Sequence, residues 1–267
     1  MLKTTGLLLA LAGSQLLYGQ WPEPPTLDQY SPQLTDMAAL RNNTGALAGV
    51  TQWQAGLQAR QLYGLPELQQ YALVAAGPVA TGKMGITVTA AGPAEARHTG
   101  IGLGLARLLG RVGLGIQFRY QEWRVAGYGT NRAAGMDLGA VCQLTDRLQA
   151  GWQWRDPLPL RWWKGEGEQL ATRFTAGLGY TFSPAFLLAA EMIREAGRPT
   201  QVHAGFRYLL AGSLLATMGL YTGSGGIYGS LGWQWAGICV TAGGQYHIPL
   251  GLSPWLGLHW QPQKKQL

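Results

Sequence analysis

From Thr51 to the end of the chain, apolar and polar side chains alternate with a period of two. Trp53, Ala55, Leu57 and Ala59 stand against Gln52, Gln54, Gln58 and Arg60. Leu114, Ile116, Phe118 and Tyr120 oppose Gly113, Gly115, Gln117 and Arg119, and Leu148, Ala150, Trp152 and Trp154 oppose Gln149, Gly151, Gln153 and Arg155. The same alternation recurs over 172–182, 201–208 and 227–235. Successive side chains of a strand point to opposite faces, so the pattern predicts strands with one apolar and one polar face. About fourteen strands follow, near 51–63, 68–78, 83–91, 97–108, 111–125, 133–144, 147–156, 169–182, 185–195, 199–209, 213–222, 226–235, 237–247 and 252–261.

The connections alternate in length. Tight ones fall at 79–82, 109–110, 145–146, 183–184, 211–212 and 236–237, while those at 92–96, 126–132, 157–168, 196–198 and 222–225 are generally longer. Outer-membrane barrels have an even strand number, short periplasmic turns and longer external loops. The expected fold is therefore all-β, a transmembrane antiparallel β-barrel with both termini on the periplasmic side. A soluble sandwich would also alternate. Two features separate them: the apolar face often ends in Trp, Tyr or Phe near a turn, as an interfacial girdle requires, and the other face is mainly Gly, Gln, Thr and Arg, poor material for a dry core.

Residues 1–19 carry an early Lys3, an apolar stretch from Gly6 to Leu17 and a small residue before Gln20, which together read as a secretory signal. No Cys stands near the cleavage point, so the expectation is a mature chain that begins at Gln20 and works outside the cytoplasm. Residues 20–50 break the alternation. Gln33 to Arg41 fits one or two helical turns with Leu34, Met37, Ala38 and Leu40 inward, and 42–49 reads as a turn-rich loop. This segment is expected either as a partial plug in the lumen, favoured by its few charges, or as a solvated leader. The barrel then covers 51–262, and 263–267 form a short basic tail.

Composition narrows the class. Only 12% of the 267 residues are charged, 47% are apolar and 40 are Gly, without a triplet period. Disorder, collagen and a disulfide scaffold are excluded by these figures and by a cysteine count of two. Helical spans are excluded beyond the N-terminus, where no apolar run approaches ~18 residues. The net charge of +7 is scattered among apolar positions, so no nucleic-acid partner is expected. Cys142 falls on the apolar set of its strand and Cys239 on the polar set of another, about seven strands away around the wall, which predicts two free thiols.

Candidate chemistry is sparse. His98, His203, His247 and His259 lie on different strands without metal-ligand spacing, so neither a metal nor any cofactor is expected. Gly100, Gly102 and Gly104 alternate with Ile101, Leu103 and Leu105 inside a strand and do not open a helix, so they are no dinucleotide loop. No enzymatic constellation emerges. The polar face does carry Arg60, Arg119, Arg155, Arg173 and Arg207, with Asp137 and Glu191 as acidic neighbours. These arginines fit either a lumen stiffened by ion pairs or an anion-attracting channel lining. The longest loop, 156–168, offers Arg161, Trp162, Trp163 and Lys164 as an external contact surface.

The order of an N-terminal signal, a short helix, the loop Asn42-Asn43-Thr44-Gly45-Ala46-Leu47 and a Gly-rich barrel resembles the PorV/PorQ-type outer-membrane proteins of Bacteroidota. Those are similar in turn to FadL-type barrels of fourteen strands. The loop matches a family motif written Asn-Pro-Ala-Gly/Ser-Leu but lacks its Pro. Stretches 114–118 and 177–182, and Tyr128-Gly129 with 143–146 beyond it, match further. The resemblance implies a non-enzymatic barrel in the outer membrane, its partners the lipid bilayer and components of a type IX-like secretion or surface-protein assembly system. The alternative it implies is a FadL-like passive transporter of small hydrophobic or anionic molecules.

Overall fold

The computed structural model describes residues 25–32, 36–158, 171–210, 212–222 and 226–262. The expected signal at 1–19, the tail at 263–267, the loop residues Arg161 to Lys164, and Gln33 and Leu34 of the predicted helical turn lie outside the described residues.

Within them the period-two segments form fourteen strands. These are β1 (Gln54–Gln61), β2 (Gln69–Val79), β3 (Gly82–Ala91), β4 (Ala96–Leu109), β5 (Val112–Val125), β6 (Gly129–Gln143) and β7 (Leu148–Arg155). The wall continues with β8 (Arg173–Ser183), β9 (Phe186–Glu195), β10 (Gln201–Leu210), β11 (Leu214–Tyr221), β12 (Gly226–Trp235), β13 (Ile238–His247) and β14 (Gly251–Trp260). Each pairs antiparallel with its neighbours, and β1 closes on β14 in a register running from Ala55–Trp260 to Arg60–Trp255. Closure matters physically, since an open edge would leave backbone groups without partners in hydrocarbon. The chain is thus a closed, outer-membrane-type antiparallel barrel.

Three strand starts differ from the sequence expectation by three residues or more. β1 begins at Gln54 rather than at 51, β6 begins at Gly129 rather than at 133, and β8 begins at Arg173 rather than at 169. Residues 129–132 pair with 122–125 of β5, and Arg132 Nε lies 3.0 Å from Glu122 Oε2. This end of the hairpin carries polar side chains on both faces, so alternation cannot reveal it. At the opposite end the turns are tight. Ala236 and Gly237 both take positive φ, 49° and 84°, which matches the I′ geometry that a twisted two-residue hairpin needs.

The two ends are called here the turn end and the loop end; by the barrel rule the turn end faces the periplasm. The outer face is apolar: Phe118 is 53% exposed and Leu178 51%. Aromatic side chains cluster at the turn end, where Tyr180, Phe182, Phe186 and Tyr208 pack ring against ring and Trp233 stacks on Trp235 at 6.3 Å. Such a belt suits the headgroup level of a bilayer.

The described N-terminal residues, 25–32 and 36–50, lie inside the barrel. A single 3₁₀ turn at Asp28–Tyr30 is followed by α1 (Ala38–Asn42) and a second 3₁₀ stretch at Thr44–Gly49. Asp36 Oδ1 accepts from the Ala38 amide at 2.9 Å just ahead of α1, and Asn43 caps the second 3₁₀ stretch, its Oδ1 accepting from the Gly45 amide at 2.8 Å. The 3₁₀ stretch replaces the loop expected at 42–49; a helix of so few residues has no periodicity to read. Met37, Leu40, Leu47, Ala48 and Val50 pack against Val74, Ala76 and Ala106 of the wall, the main apolar cluster inside the barrel.

Candidate functional site

The lumen divides along its axis into two regions. The turn-end region is occupied by residues 25–32 and 36–50, and glycines make the fit possible. Lumen-facing Gly113 and Gly115 on β5, Gly139 on β6, Gly151 on β7, and Gly177 and Gly179 on β8 form a trough across four neighbouring strands. A Cβ at Gly115 would strike the Thr44 carbonyl, and one at Gly139 would come within 2.5 Å of Asn43 Oδ1 and Thr44 Oγ1. A Cβ at Gly177 would meet the Tyr30 ring at 2.6 Å, and one at Gly179 would meet the Tyr30 backbone. Only a side chain without a Cβ lets one backbone approach another this closely.

Polar bonds fix the segment in the trough. Glu191 Oε2 accepts from Tyr30 Oη at 2.8 Å and from Gln29 Nε2 at 3.0 Å. Its other oxygen lies 2.9 Å from His203 Nδ1, and His203 Nε2 lies 2.9 Å from Tyr228 Oη. Tyr221 stacks on the His203 ring at 4.1 Å. Arg207 pairs with Asp28 and donates to Ser31 Oγ at 3.1 Å. Further along, Gln153 Oε1 accepts from the Thr44 amide at 3.0 Å, Asn43 Nδ2 donates to the Ala140 carbonyl at 3.1 Å, and Arg155 donates to the Arg41 carbonyl at 3.0 Å. Asp36 adjoins two small voids inside this region. Burial pushes its carboxyl up to about 6, with the negative charge of Asp28 acting in the same direction.

The loop-end region holds a cavity of about 90 Å³ between β1–β7 and Arg41 of α1. Arg60, Arg119 and Arg155 line it together with Gln58, Gln117, Gln121 and His98. Arg119 reaches Asp137 at 2.9 Å through Nε and Asp156 at 2.5 Å through Nη2, and Arg155 Nε lies 3.6 Å from Asp137. Arg60 donates to Gln245 Oε1 at 2.5 Å. Asp156 holds its carboxylate here at a left-handed φ of 49°.

The predicted lumen residues therefore fall into separate groups. Arg60, Arg119 and Arg155 meet at the loop-end cavity, while Glu191 and Arg207 hold the N-terminal segment. Arg173 lies opposite Arg155 in the β7–β8 register, half-buried at the loop end. Sequence reasoning missed Asp28, Tyr30, Asp156, His203 and Tyr228 as polar partners. His98, His203 and His259 do sit at polar-face positions, so the alternation could have placed them in the lumen; their partners lie on other elements and are invisible to it. The lumen is also tighter than a water-filled one, since Gln117, Gln153 and Asp137 are all buried. Cys142 and Cys239 are free thiols. Among the described residues, no group of three His, Cys, Asp or Glu side chains is placed to hold a metal.

A closed fourteen-strand barrel with an apolar outer face and a polar interior defines the class by fold. No protein-family model and no curated protein matches the sequence. Solved structures do match in fold. A Pseudomonas aeruginosa FadL homologue is 11% identical, with a TM-score of 0.60 over 84% of this chain and 94% of that one. The CymD monoaromatic hydrocarbon channel is 9% identical, with a TM-score of 0.56 over 85% of this chain and 93% of that one. A deltaS2 mutant of the TodX monoaromatic hydrocarbon channel is 10% identical, with a TM-score of 0.56 over 84% of this chain and 93% of that one. The chain is similar in fold to FadL-type barrels.

Proposed function

We propose that this protein is a non-enzymatic outer-membrane channel of FadL-like build that admits small polar or anionic solutes by passive diffusion. In this reading residues 1–19 direct export. The observation that carries it is the loop-end cavity, lined by arginine and glutamine and bordered toward the turn end by Arg41 of the docked segment. The solved barrels of similar fold include channels for monoaromatic hydrocarbons. In this chain arginine and glutamine side chains line the loop-end cavity, which favours a polar or anionic solute. The similar structures support the transport reading over secretion docking, and the loop residues that docking would use lie outside the described residues. Conduction then requires residues 25–50 to shift, and their anchors at Glu191 and Arg207 set how readily they do.

Reconstitution in planar bilayers tests the reading. The wild type should conduct little, and the double variant Asp28→Ala/Tyr30→Phe should conduct several-fold more, with anions preferred over cations. Equal and negligible conductance from both proteins would refute the channel. Recovery of soluble protein without detergent would refute the membrane assignment as a whole.

A further inference from the structure

Charge is divided unequally around the turn end. Within two positions of its turns, the charged residues among those described are Lys83, Arg107, Arg111, Asp146 and Arg147, four bases against one acid, all between β3 and β7. The other half of that rim, from β8 round to β1, carries no described Asp, Glu, Lys or Arg and holds the aromatic belt of Phe182, Phe186, Tyr208 and Trp233. At the loop end acids and bases pair, Arg132 with Glu122 and Arg198 with Glu195. The side chains of Lys83, Arg107, Arg111 and Arg147 have no hydrogen-bond or ion-pair partner among the described residues.

One of these bases belongs to the lipid-facing wall. Arg107 shares its row with exposed Leu103 and Leu105 and stands opposite exposed Leu114. An arginine on that face is tolerated only near the headgroup level, where its stem lies along apolar surface and its guanidinium reaches the polar layer. Beside it runs an open groove lined by Val79, Gly82, Leu105, Leu114 and Ile116, with Lys83 and Arg107 at its border. Gly82 keeps the groove clear. A Cβ there would lie 2.5 Å from the Ala106 carbonyl oxygen, so no side chain can fill the place. An apolar groove on the wall, bordered by unpaired bases, suits a molecule with an acyl chain and an anionic head. A guanidinium meets a phosphate with two parallel hydrogen bonds, which an ordinary apolar wall cannot offer.

We propose that the β2–β5 sector of the turn-end rim binds an anionic glycerophospholipid of the adjoining leaflet, its acyl chain in the groove at Gly82 and its phosphate at Arg107. Arg111 and Arg147, next along the rim, add to the attraction. The site needs the barrel to span a bilayer and is independent of conduction, since none of these side chains lines the loop-end cavity.

Native mass spectrometry of the purified full-length barrel in detergent tests it, with phosphatidylglycerol and phosphatidylethanolamine of identical acyl chains as probes. Phosphatidylglycerol should be retained about tenfold more strongly, and excess glycerol 3-phosphate should not displace it. Arg107→Gln/Arg111→Gln should abolish the preference, and Arg132→Gln at the loop end should leave it intact. Arg147→Gln should lower it severalfold and serves as the second variant should the double one fail to fold. Equal retention of the two lipids, displacement by glycerol 3-phosphate, or an equal loss in Arg132→Gln overturns the site. Insertion of the wild type into vesicles keeps the two failures apart: a barrel that inserts but shows no lipid preference loses this site and keeps the membrane reading.

Discussion

The two regions of the lumen are built from the same four kinds of residue, Gly, Gln, Thr and Arg, yet they do opposite things. At the turn end, glycines on β5–β8 let the backbone of residues 25–50 lie against the wall, and each buried charge meets a partner from that segment or the wall. At the loop end longer side chains, Arg60, Gln117, Arg119 and Gln121 among them, project into a cavity. The difference teaches that a polar lumen face is not in itself a pore. Where Cβ atoms are absent it becomes a docking trough, and where Gln and Arg replace them it becomes a site.

The largest effect is expected from the charge cluster that separates the regions. Arg119→Met would leave Asp137 and Asp156 buried without their main counter-charge, at a cost of about 3–5 kcal/mol. Urea unfolding in lipid vesicles should show it, and a loss below 1 kcal/mol would mean that the cluster is already wet. Next comes the trough. Gly115→Val would drive two methyl groups and a Cβ into the Thr44 carbonyl, an overpacking cost of about 1–3 kcal/mol borne by the docked segment. Protease cleavage near Arg41 should accelerate while the barrel itself stays folded; unchanged cleavage would show that the trough does not hold the segment.

A smaller effect follows from Asp36. Its carboxyl ordinarily titrates near 3.8 and is raised to about 6 when the segment is docked. The docked state therefore holds the proton more tightly than the released state does. Docking is at full strength below about pH 4, and that contribution is lost as pH rises through about 6. Conductance should rise between about pH 4 and about pH 7, and Asp36→Asn should flatten this part of the profile. A wild-type profile flat across that window would remove Asp36 from the control of docking. The smallest effect marks the rim. Arg132, exposed beside Glu122, should change unfolding least of all when replaced by Ala, and a loss comparable to that of Arg119→Met would extend the buried region beyond the cavity.

How much of this was legible beforehand differs by element. Residues 226–235 form a strand with the bounds the alternation gives, and the other strand bounds fall within a few residues, because which face a side chain takes is decided by its immediate neighbours along the chain. Gly113, Gly115, Gly151, Gly177 and Gly179 could be placed on the polar face in the same way. What they face could not. Nothing near Gly115 in sequence signals that the Thr44 carbonyl will press on it.

The sequence by itself therefore determined the strands, their faces, the tight turns and an even-stranded barrel, since each follows from a local period or a local turn. Only the tertiary structure decided what fills the lumen and where it stays empty. Tyr30 meets Glu191 across 161 positions and Arg207 meets Asp28 across 179, so those pairings exist only once the barrel has closed around the segment. The cavity beside His98 is decided at the same step, since its lining comes from seven strands and from Arg41, which only closure brings together.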